Sequence, residues 1–108
     1  MRDVFRALAD PTRRKVLQLL KRGPLSAGDL GEHFDVSKPT MSAHFAVLLS
    51  ADLIQAEKQG RFIMYRLKLS VLEEALLEFT KSFGLKFTDI GRAPKPANTP
   101  TMTKAEKR

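Results

Sequence analysis

Cysteine is absent from the 108-residue chain, which removes disulfides, thiolate metal sites, cysteine nucleophiles and thiol redox sensing together. Histidine is scarce. The two present, His33 and His44, fall on separate predicted segments, and neither has a second histidine three or four residues on, so no metal site is expected. Long apolar runs are missing too: none approaches the roughly 20 residues needed to cross a bilayer, and the first residues, MRDVFRALADPTRR, lack the apolar stretch of a signal peptide. A soluble, cytoplasmic protein without membrane contact is expected. No pair of carboxylates, Ser-His-Asp set or phosphate-cradling glycine loop stands at a usable spacing. The chain therefore does not read as an enzyme, and no cofactor is expected.

What is present is one core's worth of apolar residues and an excess of positive charge. With 43% hydrophobic content over 108 residues, the length suits one compact domain. The net charge of +7, from nineteen Lys and Arg against twelve Asp and Glu, favours polyanionic partners such as nucleic acid or anionic lipid. Its distribution is uneven. Residues 1–83 hold thirteen basic and ten acidic side chains, whereas residues 84–108 hold six and two. Binding to a polyanion must come from arrangement in the folded part, not from bulk charge.

Along the chain, a short apolar segment with Val4, Phe5 and Leu8 leads into ADPT, where Asp10 can cap a helix and Pro11 can occupy its first turn. That helix is predicted over about 11–22, with Val16, Leu17, Leu19 and Leu20 inward, until Gly23-Pro24 stops it. A third helix is predicted over about 26–34, opened by Ser26 and Asp29 at capping-box spacing and burying Leu30 and Phe34. After the tight connection FDVS, Ser37 caps a fourth helix over about 38–50, with Met41, Phe45 and Leu48 as its buried stripe. Two β-prone runs then join around Gln59-Gly60 as a hairpin. A last helix, about 70–83, carries Val71, Leu72, Ala75, Leu76, Leu77, Phe79 and Phe83, a stripe wider than one core-facing side requires. Beyond Gly84 the composition, rich in Pro, Thr, Lys and Ala, predicts disorder.

Helix, helix, tight turn, helix and hairpin is the order of a winged helix-turn-helix, a mostly α fold with a β-hairpin wing, ααααββα, that places one helix in the DNA major groove. The segments LADPTRRKVLQLL at 8–20, LSAGDLGEHFDVSKPTMSAHFAVLLSADLI at 25–54 and EKQGRFIMYRL at 57–67 resemble the ArsR family of bacterial repressors. Within it, the chain looks closest to small autorepressors that control toxin-immunity operons. The family's usual metal-sensing features are a Cys-x-Cys pair near the third helix and an Asp/His and His/Glu set on the last. Neither is present. The resemblance implies a homodimer paired through the first and last helices, which gives Val4, Phe5, Leu8, Leu72, Ala75, Leu76, Phe79 and Phe83 to dimerisation.

Residue by residue, Ser37 caps the reading helix, whose open N-terminus can also receive a phosphate. Lys38, Pro39 and Thr40 form its first turn, where Lys38 and Thr40 can reach a phosphate or a base edge. Ser42, Ala43 and Ala46 share the groove-facing side and are small, which permits close approach to thymine methyls but supplies no bidentate base pairing. Base readout should be modest. Many relatives carry a larger polar or basic residue where Ala43 stands, so operator identity does not carry over. His44 reads either as a satisfied boundary residue or as a phosphate donor, and His33 as a helix-ending residue. In the wing, Lys58 and Arg61 flank Gln59-Gly60 and present charge to phosphate or minor groove; the plain alternative is a solvated hairpin with edge-protecting charges. Arg13 shares a side with Val16, Leu17 and Leu20, which predicts a structural ion pair with Asp10 or a neighbouring helix in preference to DNA contact. If the turn before Leu53-Ile54 needs a positive φ, Asp52 tolerates it better than most residues do.

Two functions therefore stand at this point. One is a DNA-binding homodimeric repressor organised as a 1–83 domain with a basic 84–108 tail, which either adds affinity or is inert. The other is a winged-helix protein-interaction module that uses the 71–83 stripe for a foreign partner.

Overall fold

The structure is a computed structural model and describes residues 3–85. Its elements run α1 (Val4–Leu8), α2 (Pro11–Leu20), β1 (Leu25–Ser26), α3 (Ala27–Gly31), α4 (Lys38–Ser50), β2 (Ile54–Gln59), β3 (Phe62–Leu67) and α5 (Leu69–Ser82). The chain divides into two units, Met1–Glu73 and Glu74–Arg108, with the division inside α5. The segment 86–108, expected to be disordered, lies outside the described residues.

In the first unit, Val16, Leu30, Leu48, Leu53 and Ile54 are the largest fully buried side chains, so α2, α3, α4 and β2 each contribute to one core. The sequence pattern placed Val16, Leu30 and Leu48 there, but not Leu53 and Ile54. The α2 cap forms as expected: the Asp10 carboxylate accepts from the Thr12 amide at 3.3 Å, with Pro11 in the first turn. Ser26 likewise accepts from the Asp29 amide at 3.0 Å. Helix α3 is shorter than its pattern suggests, ending at Gly31 with turn-type bonds from His33 to Leu30 and from Phe34 to Gly31. His33 thus lies just past the helix, its carbonyl accepting from the Lys15 ammonium at 3.4 Å. The same ammonium sits 5.2 Å from the centre of the Phe34 ring.

The sheet departs from expectation in two ways. A third strand, β1, pairs antiparallel with β3, so the sheet order is β1-β3-β2; two residues are too short to show any period. The hairpin also turns one residue later than expected. Gln59 pairs with Phe62, leaving Gly60-Arg61 as the loop. Gly60 has φ +62 and Arg61 is not in the positive-φ region, the pattern of a II′ turn, which demands glycine first.

Asp52, at φ +62, adopts a left-handed conformation after α4, one that it was read as able to tolerate. Its amide donates to Leu49 at 2.9 Å and the next amide, of Leu53, reaches back to Leu48 at 3.0 Å, which closes the helix as a Schellman motif. Lys68 then fastens the wing's base twice. Its amide donates to the Leu53 carbonyl and its ammonium to the Asp52 carboxylate, each at 2.8 Å.

Val4, expected on an exposed pairing surface, is instead 3% exposed, and Ala7 beside it is fully buried. The i, i+3 spacing turns both to the core side of α1, leaving Phe5 exposed and Leu8 half-buried. In α5, Ala75 and Thr80 are buried, Leu72 and Leu76 half-buried, and Leu77, Phe79 and Phe83 exposed. The Phe79 and Phe83 rings lie 4.9 Å apart, one helical turn along. Gly84, at φ +70, ends the segment through bonds from Gly84 to Lys81 and from Leu85 to Thr80.

Candidate nucleic-acid interface

Helix α4 shows solvent its N-terminal half and one flank. Ser37, Lys38, Pro39 and Thr40 are all exposed, as are Ser42, Ala43 and Ala46, while Met41, Phe45 and Leu48 are buried on the other side. The Ser37 hydroxyl accepts from the Thr40 amide at 3.3 Å and donates to the Thr40 hydroxyl at 2.9 Å. This caps the helix and fixes its first turn. Capping satisfies one of the orphan amides, and the exposed remainder leaves a partial positive charge facing outward.

The back of α4 is held firmly. Phe45 stacks at 4.7 Å on Tyr65 of β3, the rings tilted by 36°, and burial pushes the Tyr65 phenol above its ordinary pKa. Arg13 supplies a second hold. Its Nε donates to the Ala7 carbonyl at 2.9 Å, its Nη2 to the Arg6 carbonyl at 3.0 Å, and its Nη1 lies 3.2 Å from His44 Nδ1. An arginine can only donate, so in this contact the His44 nitrogen is the acceptor. The Asp10 carboxylate stands 3.9 Å from the same nitrogen. Arg13 is therefore structural, as its helical side suggested, but it ties the end of α1 to α4 and is not simply paired with Asp10. Composition gave no sign of this, because carbonyl acceptors carry no sequence signature. His44 is half-buried at this junction.

The wing is the second exposed element. Lys58, Gln59, Gly60 and Arg61 are all exposed, with Arg61 in the loop and Lys58 opposite Ile63. Glu57 is engaged by Arg66 at 3.3 Å, so the acidic group closest to the tip along β2 already has a cationic partner. Sequence reasoning passed over Phe62, which is 63% exposed beside Arg61; its β-branched and aromatic neighbours made it look like ordinary strand content. Between α3 and α4 lies a cleft of about 540 Å³, lined in part by Gly28, Gly31, Val36, Met41 and Phe45, with Lys38 and Ser42 also on its wall. Among the described residues, no group of three or more His, Cys, Asp or Glu converges, and no helix is long and apolar enough to cross a membrane.

Residues 8–55 match a family model described as a helix-turn-helix domain. The chain is similar to the transcriptional repressor SdpR of Bacillus subtilis, 47% identical over 76 residues that cover 70% of this chain and 84% of that protein. It is also similar to the arsenical resistance operon repressor of Staphylococcus xylosus, 40% identical over 65% of this chain and 67% of that one. A solved structure described as a possible transcriptional regulator for arsenical resistance superposes with a TM-score of 0.70 at 33% identity, covering 93% of this chain and 99% of its own. An ArsR family transcriptional regulator gives 0.64 at 34% identity, covering 77% and 89%. With a capped reading helix, a charged wing and these relatives, the chain belongs to the ArsR family and is a winged helix-turn-helix, DNA-binding transcriptional regulator, not an enzyme.

Proposed function

We propose that the protein is a repressor that binds an imperfect palindromic operator as a homodimer in the bacterial cytoplasm. The observation that carries the reading is the exposed, Ser37-capped start of α4 with its small-residue flank at Ser42, Ala43 and Ala46. In this reading, Ser37, Lys38, Pro39 and Thr40 meet the backbone, Ala43 and its neighbours meet base edges, and Lys58, Gln59, Gly60 and Arg61 lie against the adjoining groove. Two reading helices related by a dyad address half-sites roughly 34 Å apart. Dimerisation is assigned to Val4, Phe5 and Leu8 of α1 and, separately, to Leu72, Ala75, Leu76, Phe79 and Phe83 of α5. The 84–108 segment acts as a basic extension.

No metal switch is part of this proposal. The arsenical and mercury resistance repressors among the relatives carry those names, but this chain has no cysteine. Helix α3 brings no sulfur and α5 no histidine, so the donor set does not fit a soft metal.

A mobility-shift titration on the protein's own promoter tests the reading, with sedimentation to count chains per duplex. Specific duplex should bind well ahead of random duplex at physiological salt. Lys38→Ala and Arg61→Ala should each weaken binding and lower the salt slope by about one. Equal binding of both duplexes, with neither variant having an effect, would sink the proposal.

A further inference from the structure

The alternation of β3 sets two faces on the wing. Tyr65 is buried against Phe45, and Ile63 and Leu67 share its side, whereas Phe62, Met64 and Arg66 occupy the other. Phe62 thus stands at the apex, on the face turned away from the core, at 63% exposure. Nothing in the hairpin's own stability asks for a ring there. The II′ loop is specified by Gly60 and the register by Ile54 and Tyr65.

Its surroundings select the surface that covers it. Gln59 is its cross-strand partner on the same face, with the Glu57–Arg66 pair beyond it, while Arg61 precedes it in the loop and Lys58, opposite Ile63, lies on the other face, so the tip as a whole carries two cations and the ring's own face an amide. Such a tip repels a basic or purely apolar protein surface but complements a polyanion with flat apolar elements. The minor groove offers phosphates on both walls, base acceptors on its floor that an amide can address, and stacked base faces that an apolar side chain can part. Aliphatic and aromatic wedges flanked by cations enter DNA in this way.

Resting on the DNA-binding reading above, we infer that Phe62 is an apolar wedge: it enters the minor groove beside each half-site, partly unstacks one base step and bends the duplex. Steps that unstack easily, pyrimidine–purine steps above all, favour this. The wing then contributes specificity through deformability, which suits a reading helix whose groove face holds few hydrogen-bonding groups.

The test uses the full chain and its operator, with 2-aminopurine placed at successive positions flanking the half-sites and a circular-permutation gel assay for bending. Wild-type protein should raise 2-aminopurine fluorescence at one flanking step and bend the duplex. Phe62→Ala should lose both signals and bind roughly tenfold more weakly, with an unchanged salt slope, because no phosphate contact is removed. Phe62→Leu should keep part of the bend, and Ile63→Ala on the opposite face should keep all of it. Because Phe62 is exposed, the thermal melts of the variants should coincide with wild type. The wedge is overturned if Phe62→Ala bends and binds as wild type does, or if it alters sedimentation and not bending, which would place the ring in a protein interface. Were wild-type protein to shift no duplex at all, the DNA-binding reading itself would fall, an outcome distinct from loss in the variant alone.

Discussion

Helix α4 buries Met41, Phe45 and Leu48 along its back, while in the two six-residue strands of the wing Ile54 and Tyr65 are the buried positions. In the proposed reading both elements face DNA, yet α4 is held to the core from Met41 to Leu48 and the wing is anchored toward one end. The difference tracks what each must do. A helix entering a major groove needs a fixed axis, because an error in its angle displaces every contact beyond it. A hairpin beside the groove follows the backbone, where a charged tip tolerates misplacement. Rigidity is built where register matters.

The sharpest way to break this comparison is to fill the groove face of α4. Ala43→Leu leaves the buried stripe untouched but adds bulk where the duplex must come close, and should weaken operator binding by about a hundredfold with an unchanged melting temperature. A loss of less than about threefold would show that the flank does not approach the bases. Next is Arg13→Ala, which strips the end of α1 of two carbonyl partners and His44 of its donor. Stability should fall by about 2 kcal/mol in urea denaturation, whereas a wing-tip substitution such as Lys58→Ala should stay within about 0.5 kcal/mol. If the two variants melted together, the idea of a locked helix and a loosely held wing would be wrong.

Smaller effects refine the picture. Ser37→Ala removes the α4 cap and should cost about 1 kcal/mol, with a further loss of DNA affinity as the first turn frays. The least visible effect belongs to Tyr65, the chain's single tyrosine. Its phenol is raised above the ordinary 10.0 by burial, so the native state holds the proton longer than the unfolded chain does. Stability from this group is complete below about pH 10 and declines as pH climbs through the raised value. Phenolate absorbance followed against pH should show a midpoint above that of the urea-unfolded chain; coincident midpoints would mean that the ring is wetter than its burial implies.

Much of α4 was legible in the sequence, because Met41, Phe45 and Leu48 repeat at helical spacing and Ser37-Lys38-Pro39 marks a beginning that few other structures accept. Asp52 was legible only conditionally: its short polar side chain tolerates a positive φ, but nothing in the local pattern demands one. The wing was read one residue out of register, since both Gln59-Gly60 and Gly60-Arg61 satisfy a two-residue loop and the choice is made by Ile54 and Tyr65 facing the core. Strand β1 was not legible, and Arg13 was legible as structural, toward Asp10 or a neighbouring helix, but not in its actual carbonyl partners. Each depends on backbone groups brought together by folding, Leu25 onto Tyr65 and Arg13 onto Ala7, and backbone groups are the same whatever the residue. Val4 was misjudged because an apolar residue near a chain start looks alike whether it serves the core or a partner.

The double fastening of Lys68 at the base of the hairpin gives the wing the mechanics of a lever with a fixed fulcrum. Load applied at Gly60-Arg61 is resisted at Asp52 and Leu53, immediately behind α4, so deflection is confined to the distal rungs of the ladder. We expect operators of different groove width to be accommodated by flexing between Lys58 and Ile63, without the strain reaching the reading helix.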